Sequence, residues 1–181
     1  LGSPVVIENK AGASGMLGPN ELVSAKPDGY TLSQLTIGIL RLPHMQKMQF
    51  NPMQDFTFIA CLTGYTFGLV VRADSPIKTV KDLVELCKQN PGKISFASAG
   101  GGSAQHLALE AFKLRAGIQA LHVPYKGSGP ALTDLIGGQV QYCFETMTSA
   151  TPHVKGGKVV ALAQTRAKRD KPALDLGRRK P

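Results

Sequence analysis

Short runs of β-branched and apolar residues alternate with helical stretches and glycine-rich connections along most of this chain. This alternation limits the possible folds more than any other feature of the sequence. It is typical of α/β proteins, in which helices connect the strands of a mainly parallel sheet. The chain has 181 residues, of which 43% are hydrophobic, so it is long enough to bury a substantial core. We therefore predict an α/β fold with Rossmann-like lobes built on parallel sheets.

The alternation is most regular between residues 75 and 165. Thr79 and Asp82 form the pattern of a capping box, and Ser103 and Ser128 are suited to begin two further helices. Strands are predicted at 93–97, 121–123, 139–144 and 158–164, and an additional helix at 148–154. With extended chain that ends near residue 71, these elements suffice for a complete lobe, which we assign to residues 68–165.

The first 67 residues contain fewer recognisable elements. Strands are predicted at Val5–Glu8 and Tyr30–Thr36, with one helix around Glu21–Ala25 between them. A parallel sheet needs helices on both faces, so these elements are too few to close a lobe. We predict that residues 1–67 form a partial first lobe and that the chain is an internal piece of something longer.

The formal net charge is +9, a balance that is compatible with a nucleic-acid or membrane-surface protein. Residues 166–181 hold seven basic side chains but only two acidic ones, and we expect this segment to be a disordered tail. Tryptophan is absent and aromatic residues make up 6%, so base-stacking platforms would have few components. We expect no nucleic-acid partner, and a basic nucleic-acid module remains an alternative.

The three cysteines, Cys61, Cys87 and Cys143, are far apart and form no CxxC pair. Each has apolar neighbours, which predicts small buried side chains rather than metal ligands or disulfides. The phosphate-loop and dinucleotide-binding glycine patterns are also absent. We therefore expect neither a metal nor a cofactor.

A segment with three consecutive glycines, Ser98–Ala104, is the most informative candidate for a binding site. It lies between a predicted strand and a helix that Ser103 caps, in which Leu107, Ala111 and Leu114 recur at helical spacing. Glycines let the backbone approach a ligand closely, and free N–H groups at a helix start favour anions. The segment is suited to hold a carboxylate, although an ordinary glycine-rich connection would look the same.

Two charged residues are further candidates. Arg41 lies between an apolar stretch and Pro43, and its planar guanidinium is suited to a carboxylate, as is that of many surface arginines. Glu145 ends an apolar strand at the position where a parallel sheet opens its crevice. It could accept a hydrogen bond from a ligand amine or hydroxyl, or simply be a solvated strand end.

An enzyme is the main alternative from another class of function. A hydrolase or transferase would use Ser103 as nucleophile with His106 or His122. The glycines before Ser103 resemble a G-x-S-x-G nucleophile elbow, but the last position is Gln105. No HExxH motif occurs. We therefore predict that the chain is not an enzyme.

An ordered series of short motifs points to a known family. The motifs are Pro4–Asn9, Lys26–Thr31, Asp55–Phe56, Val80–Leu83, Asn90–Lys93, Phe96–Gly100, Ser103, His106–Leu107, His122–Gly127, Ala131–Gln139 and Pro152–His153. In this order they resemble the tripartite tricarboxylate transporter substrate-binding receptors, also called the Bug or TctC family. The resemblance covers residues 1 to about 169, and from Asp170 onward the sequence no longer follows the family.

This resemblance implies a type II periplasmic-binding-protein fold, in which two lobes close on a ligand. The ligand class is a small carboxylate: a di- or tricarboxylate, an acidic amino acid or an aromatic acid. The receptor would be exported to the periplasm, act as a monomer, and deliver its ligand to the permease subunits of the transporter. It would be no enzyme and would need no cofactor. Because the first lobe is predicted to be partial, we expect the chain alone to bind its carboxylate weakly or not at all.

The resemblance also implies where the ligand binds. Backbone N–H groups of loops in both lobes would hold its carboxylates, and Glu145, where aspartate is common in the family, would be the acid at the strand end. The implied ligand-binding residues are Thr36 and Arg41 in the first lobe, Tyr65 and Thr66 near the crossing between lobes, and Ser98, Gly100, Gly101, Gly102, Ser103, Ala104 and Glu145 in the second.

Overall fold

The computed structural model describes residues 2, 4–61 and 64–165, and the chain divides into two compact units, residues 1–59 and 60–181. Residues 60–67, which the sequence pattern assigns to the first lobe, therefore group with the second unit. The basic segment 166–181, predicted to be a disordered tail, lies outside the described residues.

The first unit is built from short helical pieces around a small core. Its elements are α1 (Leu17–Ser24) and 3₁₀ turns at Ala13–Gly15, Ile37–Leu40 and Leu42–His44. Ile39, Leu42 and Phe50 are buried, and the Phe50 ring meets Phe56 edge to face with ring centroids 5.1 Å apart. These residues give the unit an apolar centre of its own.

The two strands predicted in the first unit are wrong. Residues 5–8 and 30–36 are not strands, and Val6 and Tyr30 are 84% and 94% exposed. A strand is stable only when it pairs with a neighbour. The described residues of this unit contain no strand with which these β-branched runs pair.

The second unit contains the predicted alternation of strands and helices. Its elements are β1 (Phe67–Arg72), α2 (Val80–Gln89), β2 (Ser95–Ser98), α3 (Ala104–Ala116), β3 (Leu121–Pro124), α4 (Ser128–Ile136), β4 (Tyr142–Thr146), α5 (Met147–Lys155) and β5 (Val159–Gln164). The α/β prediction is therefore confirmed for this unit.

The starts of α2 and α3 confirm the predicted caps. Thr79 Oγ1 accepts from the Asp82 amide at 3.1 Å, and Asp82 Oδ2 accepts from the Thr79 amide at 2.9 Å, which completes a capping box. Backbone N–H groups of Lys78 and Thr79 also lower the pKa of the Asp82 carboxyl. Ser103 Oγ accepts from the His106 amide at 3.2 Å and so caps α3.

The sheet has the strand order β3-β2-β4-β1-β5 and is mixed rather than wholly parallel. β2 runs parallel to β3 and β4, whereas β1 is antiparallel to both of its neighbours, β4 and β5. Phe67, the first residue of β1, is therefore paired with Thr146, the last residue of β4. This pairing brings Tyr65 and Thr66 to the edge where β4 ends.

Helices cover both faces of this sheet. α2 and α3 pack on one face, with Leu83, Cys87 and Leu109 buried, and α4 and α5 pack on the other. Val70 faces the second layer, whereas its neighbours Leu69 and Val71 face the first, as the two-residue period of a strand requires.

Two sequence-based details need correction. Cys87 and Cys143 are buried as predicted, but Cys61 is exposed despite its apolar neighbours in sequence. α3 buries Gln105 and Leu109, whereas Leu114, which belongs to the apolar repeat that marked this helix, is 83% exposed. α3 carries apolar residues on both sides, so their spacing identified the helix but not its buried face. Within the described residues, no helix has both the length and the apolarity needed to cross a membrane.

Candidate functional site

Three helices begin at the same edge of the sheet in the second unit. α3 follows β2, α4 follows β3, and α5 follows β4, so their N-terminal ends lie where these parallel strands end. This edge, which we call the carboxyl edge, comprises residues 65–66, 98–104, 127–128 and 145–147. Ligands of open α/β sheets bind at such an edge, where helix N-termini favour anions.

Glu145 lies at the centre of the carboxyl edge and is only 1% exposed. Its Oε1 atom accepts from Ser128 Oγ at 2.7 Å, from the Thr146 amide at 2.8 Å and from Gln105 Nε2 at 3.5 Å. These donors belong to the first turns of α4 and α3 and to the cap of α5. The starts of three helices therefore converge on one carboxyl group.

The second oxygen of this carboxyl group, Oε2, is buried and has no hydrogen-bond partner among the described residues. Burial raises the pKa of Glu145, and this effect outweighs the hydrogen bonds from Ser128, Thr146 and Gln105, which lower it. Desolvation penalises the ionised form of a carboxyl group, so Glu145 holds its proton more tightly than an exposed glutamate does.

We expect Glu145→Gln to change how stability depends on pH. Because the pKa of Glu145 is raised in the folded state, its contribution to the free energy of unfolding is largest below the usual pKa of 4.5. That contribution falls as the pH rises through the raised value, since the folded state then gives up a proton that it held more tightly. The glutamine variant has no such proton, so its stability should rise relative to the wild type with increasing pH. Urea denaturation at several pH values checks this, and a difference independent of pH would contradict it.

The three glycines are held largely by contacts inside the protein. The Gly100 amide donates to Ser98 Oγ at 3.2 Å, and the Gly102 amide donates to His106 Nδ1 at 3.1 Å. The Ser103 amide donates to the Gly100 carbonyl at 3.2 Å. Gly100 and Gly102 are buried, whereas Gly101 is exposed. Side chains therefore engage the N–H groups of Gly100 and Gly102, and the role of this segment in ligand binding stays a prediction.

Glycine is needed at two of these positions for conformational reasons. Gly100 has φ of 134° and Gly102 has φ of 76°, values that residues with a Cβ atom adopt only at a cost. These two angles turn the chain from the end of β2 into α3.

Two histidines lie against this loop. The rings of His106 and His122 stack with centroids 3.9 Å apart and planes 9° apart, and the Phe96 ring also stacks on His122, with centroids 4.9 Å apart. His122 Nε2 lies 2.7 Å from Ser98 Oγ. Burial, together with the neighbouring His106, lowers the pKa of His122 to about 4, so the ring is neutral at neutral pH.

Tyr65 and Thr66 lie at the carboxyl edge with the residues above. The Thr66 carbonyl accepts from the Met147 amide at 2.8 Å, which joins the chain before β1 to the first turn of α5. The Tyr65 ring is partly exposed and stacks on Phe67 with centroids 6.1 Å apart. The predicted site residues of the second unit thus occupy one sheet edge.

Thr36 and Arg41 belong to the first unit, where they flank the turn Ile37–Leu40. The Thr36 carbonyl accepts from the Ile39 amide, and the Arg41 amide donates to the Gly38 carbonyl, both at 3.0 Å. Both side chains are partly exposed. Their roles as ligand-binding residues stay predictions.

The serine-dependent hydrolase alternative needs a contact between the Ser103 hydroxyl and a histidine ring, and the structure has a different arrangement. Ser103 is 7% exposed, and its hydroxyl oxygen accepts from the His106 backbone as a helix cap. The histidine ring that contacts a serine is His122, and its partner is the fully buried Ser98. In the part of the chain that the structure describes, no group of three or more His, Cys, Asp or Glu side chains could hold a metal ion.

Sequence reasoning missed the contributions of four residues. Gln105 and Ser128 bind Glu145, and His106 and His122 contact the glycine loop and its flanking serine. The available signal was position: Gln105, His106 and Ser128 all lie in first turns of helices that follow strands. Which strand end each of them meets depends on the strand order, which the sequence pattern does not specify.

The sequence of this chain is similar to those of a known protein family. The family model described as the tripartite tricarboxylate transporter family receptor matches residues 1–175. The match continues past residue 169, so the family pattern extends further toward the C terminus than we predicted. A UPF0065 protein in the gbd 5' region of Cupriavidus necator is 42% identical over 169 residues, which are 93% of this chain and 51% of that protein. The chain thus spans about half the length of this relative.

Two solved structures show the same fold. The periplasmic binding protein BugD is 36% identical, with a TM-score of 0.87 over 93% of this chain and 57% of BugD. MatC from Rhodopseudomonas palustris, solved with bound malate, is 30% identical, with a TM-score of 0.86 over 94% of this chain and 60% of MatC. These similarities confirm the predicted α/β fold of the periplasmic-binding-protein type. The chain belongs to the tripartite tricarboxylate transporter receptor family, the TctC or Bug family.

Proposed function

We propose that this chain is the binding part of a periplasmic receptor that captures a small carboxylate and hands it to the permease of a tripartite tricarboxylate transporter. The observation that carries the proposal is the convergence of three helix starts on the single carboxyl group of Glu145. Helix starts favour anions, so an edge at which three helices begin is suited to a ligand carboxylate. The bound malate in the related MatC structure supports the same ligand class.

In this proposal, the segment Ser98–Ala104 contacts the ligand at its exposed residue Gly101 and at the start of α3. Tyr65 and Thr66 lie at the same edge and complete the site within the second unit. Thr36 and Arg41 are further proposed ligand-binding residues in the first unit, and the guanidinium of Arg41 is suited to a carboxylate.

Glu145 determines which carboxylates are preferred. Its Oε1 atom accepts hydrogen bonds from the protein, and Oε2 is the buried oxygen that has no hydrogen-bond partner among the described residues. A ligand hydroxyl or amino group can donate to this oxygen once the side chains that cover it move. A hydroxy or amino diacid then gains a hydrogen bond that a plain diacid lacks, and a hydrogen bond to a charged group contributes about 1.5–3 kcal/mol.

Titration of the chain with malate and with succinate, followed by the NMR signals of its backbone amides, tests the function. This method detects the weak binding that we expect of this chain. Amides of residues 98–104 and 145–147 should shift, and malate should bind about tenfold more tightly than succinate. Glu145→Gln should reduce this preference, whereas Glu85→Gln, on the exposed side of α2, should leave it unchanged. Absence of any response at the carboxyl edge to either acid would contradict the proposal.

A second experiment on the same protein distinguishes the receptor hypothesis from the enzyme alternative. Ser103→Ala removes the hydroxyl that the serine-dependent alternative needs. A receptor keeps its ligand chemically unchanged and loses only some affinity with this variant, since the hydroxyl caps α3. Turnover of a carboxylate ester that disappears in the Ser103→Ala variant would instead favour the enzyme.

A further inference from the structure

The glycine loop Gly100–Gly102 is fixed at both of its ends by polar side chains. At one end, the Gly100 amide donates to Ser98 Oγ, which in turn lies 2.7 Å from His122 Nε2. At the other end, the Gly102 amide donates to His106 Nδ1. Because the two imidazole rings are stacked 3.9 Å apart, both ends are joined to one ring pair.

The hydrogen bond from Gly102 determines the tautomer of His106. A backbone amide can only donate, so Nδ1 is the acceptor and neutral His106 carries its proton on Nε2. That nitrogen faces Glu110 Oε1 at 3.6 Å, and Lys113 contacts the same carboxylate at 2.9 Å. Glu110 therefore favours the tautomer that keeps Nδ1 available to the glycine loop.

The contact at the Gly100 end of the loop depends on Nε2 of His122. Ser98 is fully buried, and its hydroxyl oxygen has three polar neighbours: the Gly100 amide, the Gly100 carbonyl and His122 Nε2. A hydroxyl has one proton, so only one of the latter two can accept from it. In either arrangement the ring fixes the hydroxyl beside the Gly100 amide.

We propose that His106 and His122 are positioning residues that hold the glycine loop in its binding conformation, His106 through Nδ1 and His122 through Nε2 by way of Ser98. The inference rests on the proposed function, since it assigns to the pair the task of keeping this loop ready for a carboxylate. The pair does not touch the ligand itself. It removes the freedom of a three-glycine segment that would otherwise lose much conformational entropy on binding.

The difference between the two nitrogens makes the proposal testable with matched variants. The Oδ1 atom of asparagine lies where Nδ1 of histidine lies, and the terminal atoms of glutamine reach the position of Nε2. His106→Asn with His122→Gln therefore keeps both polar contacts, whereas the exchanged pair, His106→Gln with His122→Asn, loses both. The two double variants have the same composition, and both lack the stacked rings.

The first measurement is amide hydrogen exchange of Gly100 and Gly102 by NMR on the 181-residue chain without ligand. In His106→Asn/His122→Gln the exchange of both amides should stay close to that of the wild type. In His106→Gln/His122→Asn it should rise about fivefold or more, the factor corresponding to one net hydrogen bond. Equal exchange in the two double variants would overturn the proposal. His44→Asn and His44→Gln, at an exposed histidine of the first unit, serve as controls.

A second variant covers the case in which a double variant fails to fold. Ser98→Ala leaves both rings in place and removes the hydroxyl between His122 and Gly100. It should speed exchange of the Gly100 amide and leave that of Gly102 unchanged. Equal acceleration at both glycines, or none at Gly100, would contradict the assigned contacts.

Titration with succinate then connects the loop to binding. The variant that keeps both contacts should retain the affinity of the wild type, and the exchanged variant should bind about fivefold more weakly. Equal affinity in both variants would overturn the role in binding. If succinate and malate leave the wild type unaffected while exchange differs as expected, the positioning of the loop stands and the proposed carboxylate function fails.

Discussion

Replacing Glu145 with lysine is expected to lower the free energy of unfolding by about 3–5 kcal/mol, because it puts a cation where a buried carboxyl group accepts three hydrogen bonds. An ammonium group can only donate, so the Thr146 amide and the Gln105 side-chain N–H would face another donor. The starts of three helices also repel a positive charge. Urea denaturation followed by circular dichroism measures the loss.

Glu85→Lys is the matched control for this substitution. Glu85 is on α2, and its side chain is 56% exposed and 3.8 Å from Lys81. Losing this exposed pair is expected to change stability by no more than about 0.5 kcal/mol. Similar losses for both variants would mean that Glu145 is not the buried acceptor at the carboxyl edge.

Leu135→Ala is expected to have an effect of similar size through packing alone. Leu135 on α4 is fully buried in the apolar layer that α4 and α5 form against the sheet. Removing a buried leucine side chain leaves a cavity, and such substitutions cost about 2–5 kcal/mol. Thermal or urea denaturation of the chain gives the value directly.

Leu114→Ala is the matched control for Leu135→Ala, because it removes the same side chain from an exposed position. Leu114 is on α3 and is 83% exposed, so its substitution should alter the free energy of unfolding by no more than about 0.5 kcal/mol. The Leu114→Ala variant tests whether the apolar repeat in the α3 sequence faces solvent, as observed, or a packed surface. A large loss for Leu114→Ala would show that this repeat faces a packed surface after all.

Local signals in the sequence predicted the second unit well. The capping box at Thr79 and Asp82 and the cap at Ser103 mark where helices begin, because these side chains satisfy backbone N–H groups within three residues. Gly117, with φ of 62°, ends α3 for an equally local reason. Such features depend on neighbours in sequence, so they can be recognised without knowing the fold.

Features that depend on distant partners could not be predicted. Val5–Glu8 and Tyr30–Thr36 have the composition of strands but form no strand in the described residues of the first unit. The antiparallel direction of β1 is equally non-local, since residues 67–72 pair with residues 142–146 and 159–164. Apolar patterning specifies that a segment is extended, but not beside which strand it lies.

Only part of the candidate site could be predicted, again because some of its contacts join residues that are distant in sequence. Ser98–Ala104 and Glu145 are recognisable because each ends a predicted strand, and the structure brings both to the carboxyl edge. The engagement of the Gly102 amide by His106 was not predictable from the glycines themselves. Neither was the contact of Gln105 and Ser128 with Glu145, because it depends on which helices begin beside β4.

The place of β1 between β4 and β5 sets the order in which the second unit can be completed. Its residues are synthesised first, yet each side of this strand pairs with a segment made about 70 to 95 residues later. During synthesis, β1 must therefore wait with both edges open until β4 and then β5 have left the ribosome. Pairings this far apart in sequence slow folding, and open strand edges invite association between chains. Nascent molecules of this chain thus pass through a stage in which both edges of β1 are open to association.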